Sequence, residues 1–209
     1  MVVWVVENLR IGTLSWNNQA WQAFYPEDLP EDWQIDYYSH YFSCVLVPED
    51  QWQSWDEDQI TGLAEALAGE DFEFFFELER SFDETVCVQL NRIKSTFETM
   101  AVGILLKGYF QPLPDSLRDY QLTLFSDSES DCLPGWQWQN EYAQGICSGY
   151  PLGYVSHFPA DGKLQASCLK SFMDSLLPDQ TKASFVVVDE NCSIESVQNL
   201  KIIAELMGF

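Results

Sequence analysis

Apolar and polar positions follow strand-like and helix-like periods in turn along this chain. Residues 9–13 alternate as a short strand, and residues 43–47 form a second apolar run. The segment between them carries aromatic residues at helical spacing after Pro30, which suits the first turn of a helix. Two strands joined by a helix form a βαβ unit, which requires parallel strands and a right-handed crossover. The start of the chain therefore predicts an α/β fold.

The same alternation of strands and helices continues to the end of the chain. Further strands are predicted at residues 71–79, 102–109, 120–126, 136–139, 153–158 and 184–189, and helices at residues 58–68, 87–100, 163–177 and after Ser193. Valine-rich residues 1–6 predict an added strand or, if the sheet closes into a barrel, a clamp at its bottom. The strand at 120–126 starts soon after the strand at 102–109, so we expect the intervening helix to be absent or vestigial.

The strand predicted at residues 71–79 has one apolar face and one acidic face. Glu73, Glu77 and Glu79 alternate with phenylalanine and leucine. Burying three carboxylates without partners would be costly. We therefore expect an exposed or edge-like face, or acids placed near the top of a barrel. A functional carboxylate pair of Glu77 with Glu79 is the alternative.

The excess of acidic residues is the most unusual feature of the composition. Thirty-three Asp and Glu residues face ten Lys and Arg residues, for a formal net charge of −23. Direct binding to nucleic-acid phosphates is not expected, because it needs clustered Lys and Arg, and anionic membranes should repel the chain. A solvated acidic surface, a bound cation or a basic protein partner remain open.

The sequence predicts no metal site and no cofactor. Its six cysteines and two histidines lack zinc-type spacing, and dinucleotide-binding, P-loop, metalloprotease and nucleophile-elbow motifs are absent. The chain shows no signal peptide and no apolar run of the roughly 20 residues that span a membrane. We therefore expect reduced thiols in a cytoplasm, and a single domain over residues 1–209.

A series of motifs in residues 11–47 resembles the N-terminus of the YecE-like family (domain of unknown function 72). The series is Ile11-Gly12-Thr13, Trp16, Trp21, Phe24-Tyr25-Pro26, Leu29-Pro30 and Tyr37-Tyr38. A weaker similarity covers residues 185–206, the last predicted strand and helix. The resemblance implies a TIM-type (β/α)₈ barrel. Such barrels typically have about 250 residues, so this one is expected to be compact or incomplete, with one or more helices lost.

The predicted strand ends depart from the family pattern. The second strand ends in Val47-Pro48 where the family has a Glu-Ile-Asn type tip, and the third carries glutamates where the family has a lysine. The seventh has His157 without the family's preceding arginine. Because barrel enzymes carry their chemistry at the C-terminal ends of the strands, we expect the family's usual site to be altered.

Candidate site residues follow from these strand ends and from the aromatic loop. The candidate catalytic residues are His157, Glu190 and Asn191, at the ends of the last two predicted strands. The candidate ligand-binding residues are Trp16, Trp21, Tyr25 and Gln111, the last of which matches the family's Phe-Gln tip after the fourth strand. For the aromatic loop, packing ranks ahead of a lid or a dimer contact.

Three functions remain open from the sequence. The first is a divergent barrel that has lost the family's usual site and serves a binding or structural role. The second is a small-molecule or metal-assisted enzyme with a rebuilt site at the C-terminal mouth. Its ligands or acid–base groups would be Glu77, His157, Asp189, Glu190 and Asn191. The third is an acidic decoy that binds a basic protein, with an affinity that falls steeply with salt.

Overall fold

Nine strands form one sheet in the part of the chain that the structure describes. The computed structural model describes residues 8–79, 82–98, 100–108, 113–189 and 191–209. The strands are β1 Asn8–Leu14, β2 Cys44–Val47, β3 Glu73–Leu78, β4 Ala101–Lys107, β5 Gln121–Ser126, β6 Trp136–Asn140, β7 Gly145–Gly149, β8 Leu152–Val155 and β9 Lys182–Val187. Their order is β6-β7-β5-β4-β3-β2-β1-β9-β8. All paired strands are parallel except the two pairs that β7 makes with β5 and β6.

The sheet curls into a nearly closed barrel, so the expected TIM-type α/β fold is confirmed in a compact form. The described residues form six α-helices: α1 Gln34–Ser39, α2 Glu49–Gln53, α3 Glu57–Ala66, α4 Glu84–Phe97, α5 Gly162–Asp174 and α6 Ile194–Met207. Between β4 and β5, the described residues hold only the short 3-10 helix Asp115–Leu117. The prediction of a vestigial helix at this point is therefore confirmed.

Side-chain caps set where the longer helices begin. Asp56, Asp83, Asp161 and Ser193 each accept a hydrogen bond from a backbone N–H in the first turn of the helix that follows. Such caps satisfy backbone donors that have no partner within the helix. Ser193 caps the last helix, which begins directly after this residue as the sequence predicts.

The first family motif fixes β1, β2 and α1 against one another. A Cβ atom on Gly12 would lie 2.0 Å from the carbonyl oxygen of Cys44, so a side chain does not fit there. Beside it, the hydroxyl of Tyr38 accepts a hydrogen bond from the backbone N–H of Thr13 at 3.0 Å and donates one to the Cys44 carbonyl at 3.1 Å. These motif residues therefore have structural roles.

Strand β3 is central and buried on both faces, so the expectation of an exposed acidic face is wrong. Every residue of β3 is buried. Phe74 and Phe76 contact Phe97 of α4, with ring centroids 4.8 and 6.5 Å apart. On the other face, Glu73 and Glu77 lie inside the barrel, and each is paired with a basic side chain, as a buried charge requires.

The β6–β7 hairpin closes one side of the barrel, and its second strand was not predicted. The two tryptophans of β6, Trp136 and Trp138, are buried against Phe172 of α5, at 5.8 and 5.3 Å between centroids. Both tryptophans alternate onto one face of the predicted strand, and that face is buried. Strand β7 begins at Gly145, where a Cβ atom would lie 2.6 Å from the ring of Phe125. Its pairing with β5 is a long-range contact, which local spacing does not reveal.

Helix α2 lies where the sequence predicts neither a helix nor a strand. Apolar spacing in the predicted helices favours burial of Val88 and Leu164, but they are 54% and 47% exposed, because neighbouring apolar residues on α4 and α5 fill the buried faces instead. The strand or clamp predicted at residues 1–6 lies outside the described residues.

Candidate functional site

The C-terminal ends of β3 and β4 hold one lysine between two carboxylates. The register pairs Glu77 with Leu105, so Lys107, two residues further along β4, has its side chain on the same inner face. Nζ of Lys107 lies 3.0 Å from Oε1 of Glu77 and also contacts the carboxylate of Glu79. These strand ends are where a parallel barrel positions its functional groups.

Two aromatic rings complete this group, one from β8 across the barrel and one from the neighbouring strand β5. Nζ of Lys107 lies 5.8 Å from the ring centroid of Tyr154 in β8, and that ring lies 4.6 Å from the ring of Phe125 in β5. Strands β4 and β8 are not neighbours in the sheet, so the lysine–tyrosine contact crosses the interior of the barrel. We call Glu77, Glu79, Lys107, Phe125 and Tyr154 the mouth cluster.

Helix α2 holds the end of β3 in position. The indole N–H of Trp52 donates a hydrogen bond to the carbonyl oxygen of Glu77 at 2.9 Å. The carboxylate of Glu49, which is only 5% exposed, accepts a hydrogen bond from the backbone N–H of Glu79 at 2.8 Å. A second bond, from the side chain of Gln53 at 2.8 Å, orients that carboxylate. The two acids of the mouth cluster are therefore anchored through their backbone.

Burial and neighbouring charges set the protonation of the mouth cluster. Desolvation raises the pKa of Glu77, Lys107 partly offsets this, and the charges of Glu79 and Glu49 add to the rise. Burial opposes the charge on Lys107, but its bonds to Glu79 and Glu77 outweigh burial and raise the pKa of the lysine. Burial also raises the pKa of Tyr154. The lysine is thus a cation at neutral pH, and Glu77 is a carboxyl group suited to proton exchange.

A cavity of about 380 Å³ opens beside the mouth cluster. Lys107 and Phe125 form part of its lining, and the acidic loop after β5 forms another wall. In that loop, the backbone N–H of Ser128 donates a hydrogen bond to Oγ of Ser126 at 3.0 Å. The cavity therefore brings together a cation, an aromatic ring and hydroxyl groups.

The predicted catalytic residues lie at the ends of the neighbouring strands β8 and β9. Asp189 links the two ends, because its carboxylate accepts hydrogen bonds from the backbone N–H groups of Phe158 and Asn191, each at 2.9 Å. The side chains of His157 and Asn191 are exposed, and Nδ1 of His157 lies 3.2 Å from Oγ of Ser156. Glu190 lies outside the described residues. Catalytic roles for these residues stay predictions.

The predicted ligand-binding tryptophans and tyrosine make packing contacts. Trp16, Trp21 and Tyr25 are 7%, 3% and 8% exposed. The indole N–H of Trp21 donates to the carbonyl oxygen of Cys192 at 3.3 Å, and the hydroxyl of Tyr25 donates to the carbonyl oxygen of Trp16. These bonds favour the packing role for the aromatic loop. Gln111 lies outside the described residues, and ligand binding by all four stays a prediction.

Metal ligands do not cluster in the part of the chain that the structure describes. Within those residues, no group of three or more His, Cys, Asp or Glu side chains is placed to hold a metal ion. The six cysteines are free thiols. Among the described helices, none has the length and apolar character needed to cross a membrane.

Sequence reasoning identified Glu77 and Glu79 as a possible pair but missed Lys107 and Tyr154. A signal for the lysine was present, since it ends an uninterrupted apolar strand in a chain with only ten Lys and Arg residues. Its partners could not be inferred, because they lie on other strands. Tyr154 gave no comparable signal, because a tyrosine in a strand is ordinary.

Comparisons with known proteins match a family model over the first half of the chain and solved structures over nearly all of it. Residues 10–113 match the family model described as "Protein of unknown function DUF72". No curated protein matches the chain. Two crystal structures of a DUF72 family protein from Enterococcus faecalis V583 are similar. One is 12% identical with a TM-score of 0.46, covering 97% of this chain and 98% of that one. The other is 11% identical with a TM-score of 0.41, covering 94% and 95%.

Proposed function

The chain belongs to the DUF72 family of proteins of unknown function through residues 10–113, and from this premise we propose that it binds a small polar ligand at the mouth cluster. The ligand would carry hydroxyl or amine groups. The observation that supports this proposal is a carboxylate only 7% exposed, that of Glu77, paired with a partly exposed Lys107 beside an open cavity.

Stability alone is a weak explanation for this ion pair. A buried ion pair is often no more stabilising than apolar residues of the same volume, because desolvation offsets the attraction. The ammonium group of Lys107 interacts with Glu77, Glu79 and the hydroxyl group of Tyr154. The carboxylates, this partly exposed ammonium group and the Tyr154–Phe125 ring pair together suit a ligand with both polar groups and an apolar face.

We also propose that the family's usual site has been altered into a new ligand site at the C-terminal mouth of the barrel. The strand ends that depart from the family pattern include the end of β3, where Glu77 and Glu79 stand. In this proposal the mouth cluster replaces the lost site, in a cytoplasmic protein whose six cysteines stay reduced. If no ligand binds, the mouth cluster has a structural role only.

One observation favours catalysis as a second candidate function. The raised pKa of Glu77, caused first by desolvation, brings this carboxyl group closer to the pH at which general acids and bases work best. A small molecule bound over Lys107 would then exchange a proton with Glu77. In the described residues, a metal-assisted reaction has no cluster of three or more ligand side chains to support it.

Saturation-transfer NMR with a panel of small amines, amino acids and polyols tests the proposal. We expect at least one compound to receive saturation from the wild-type protein and to lose that signal with Lys107→Met. Lys170→Met is the matched control, because Lys170 pairs with Asp174 on the exposed face of α5. A panel without any binder, or equal signals from Lys107→Met and the wild type, would contradict the proposal.

A further inference from the structure

A larger opening lies away from the mouth cluster, between α3 and the segment that leads into α1. This cleft has a volume of about 810 Å³. Its floor includes Trp16, Ile35 and Trp55, which are all buried. One wall is the face of α3 on which Asp58 and Gly62 lie one turn apart. We call it the α3 cleft.

The charges that line the α3 cleft have one sign. Among the residues that the structure describes, its lining includes Glu31, Asp32, Asp58 and Glu65, all of them exposed, and no Lys, Arg or His. A concave surface with a low-dielectric floor and charges of one sign concentrates the electrostatic potential. The overall charge of −23 strengthens that potential. The cleft therefore favours a positively charged occupant.

Trp33 adds an aromatic contact at the rim of the same cleft. Its side chain is 64% exposed, next to Glu31 and Asp32 in one 3-10 turn. A tryptophan face is the best aromatic partner for a lysine or arginine cation. Exposed tryptophans flanked by charge are also typical anchors of protein interfaces. The rim thus offers a stacking surface and carboxylates to the same cation.

The shape of the opening indicates a polypeptide and not a single small cation. A neighbouring cleft of about 580 Å³ shares Trp16, Asn17 and Glu31 with the α3 cleft and extends past Glu27. The two clefts therefore adjoin each other at these three residues. An ammonium ion or one amino acid would leave most of the α3 cleft empty, whereas an extended segment would fill it and bring several cations to its acids.

We propose that the α3 cleft docks a basic segment of a partner protein in extended form. Its lysine or arginine side chains pair with Glu31, Asp32 and Asp58, and one of them stacks on Trp33. This inference is independent of the proposed ligand of the mouth cluster, because the residues that line the two openings are different. The proposal assigns a binding role to the acidic residues that line the α3 cleft.

Fluorescence anisotropy with a labelled peptide of six Gly-Arg repeats tests the docking. We expect the wild-type protein to bind the peptide at low salt. The triple variant Glu31→Gln, Asp32→Asn and Asp58→Asn should bind about tenfold more weakly, since exposed ion pairs are individually weak. Trp33→Ala should weaken binding about fivefold, as expected for one cation–π contact.

A matched triple variant separates docking from general attraction. Asp50→Asn, Glu57→Gln and Glu70→Gln change the net charge by the same amount at exposed positions that do not line the α3 cleft. This control should keep wild-type affinity at equal salt. An equal loss in both triple variants would overturn the proposal, and so would an absence of peptide binding.

Gly62 allows the cleft to be blocked without disturbing the fold. A Cβ atom at Gly62 would meet nothing within 4 Å, so a side chain there extends into open space. Gly62→Arg should abolish peptide binding by filling the cleft and adding a positive charge. Gly62→Ala, a better helix former than glycine, should bind as the wild type does. Wild-type affinity in a folded Gly62→Arg variant would overturn the proposal.

Discussion

The described residues form two ion clusters in the barrel interior, and the two differ in how far they are exposed to solvent. Near the N-terminal ends of the strands, Arg10 of β1 lies 3.2 Å from Glu73 of β3, with side-chain exposures of 5% and 1%. At the C-terminal ends, Lys107 and Glu77 are 26% and 9% exposed. Both glutamates stand on the same face of β3, so one strand contributes an acid to a closed cluster and an acid to an open one.

The partners of the two glutamates explain the difference. Oε2 of Glu73 accepts a hydrogen bond from Oγ of Ser184 at 2.9 Å, and Arg10 also bonds the carboxylate of Asp71 at 2.6 Å. The Arg10–Glu73 contact is an ion pair without hydrogen-bond alignment. Glu77 instead shares one lysine with Glu79 beside a cavity. We infer that the first cluster holds the barrel together and that the second is available to a ligand.

Removing the cation of the closed cluster should have the largest effect on stability. Arg10→Met leaves Glu73 buried without its positive partner, which should lower the free energy of unfolding by about 3–5 kcal/mol. Urea unfolding followed by circular dichroism measures this loss. Arg118→Met is the control, because its pair with Asp115 is exposed and should change stability by less than about 1 kcal/mol. Equal losses in the two variants would contradict a structural role for the Arg10 pair.

The open cluster, which contains Glu77, should make the free energy of unfolding depend on pH. Burial raises the pKa of Glu77 in the folded state above its unfolded value, so the folded state binds the proton more tightly. The contribution of Glu77 is therefore fully present below the ordinary glutamate pKa of about 4.3 and is lost as pH rises through the raised value. Relative to Glu77→Gln, the wild type should lose stability across that window.

Urea midpoints of both proteins at several pH values measure this difference. Comparing the wild type with Glu77→Gln cancels the contributions of the other acids, which titrate in both proteins. A difference that stays constant, or that grows in favour of the wild type as pH rises, would show that Glu77 is not held in a desolvated position.

A substitution at the ends of β8 and β9 should have the smallest effect on stability. His157→Ala should change the free energy of unfolding by less than about 0.5 kcal/mol, because its side chain is exposed and substitutions of exposed side chains usually change stability little. The variant should also keep ligand binding at the mouth cluster. A loss of ligand binding at unchanged stability would instead support the catalytic role predicted for His157 from the sequence.

The two clusters also show which features a sequence can and cannot predict. Strand β1, strand β2 and the helix between them follow from local periodicity, so they were predicted close to their observed bounds. The burial of Glu73 and Glu77 was not predicted, because Arg10 and Lys107 lie on other strands and a local pattern does not name partners. An acidic strand face without known partners favours exposure. Ion pairs with residues of other strands allow this face to be buried instead.

The sequence predicted a site at the C-terminal mouth with Glu77 among its groups, but it did not include Lys107 and Tyr154 of the mouth cluster. Parallel strands in a barrel end at one edge, so a functional site at the C-terminal mouth followed from the fold class alone. His157 and Asn191 were selected because they end strands. Lys107 was missed because its role depends on Glu77 and Tyr154, which reach it across the sheet and across the barrel interior.

Ligand binding by two double variants tests the central contrast most directly. Lys107→Met with Glu77→Leu, and Arg10→Met with Glu73→Leu, each replace an ion pair with apolar side chains. Saturation-transfer NMR with a compound that binds the wild type then compares the two at a temperature where both are folded. We expect binding to be lost in the Lys107 variant and kept in the Arg10 variant. Binding that survives in both, or that is lost only in the Arg10 variant, would contradict the assignment of the mouth cluster as the ligand site.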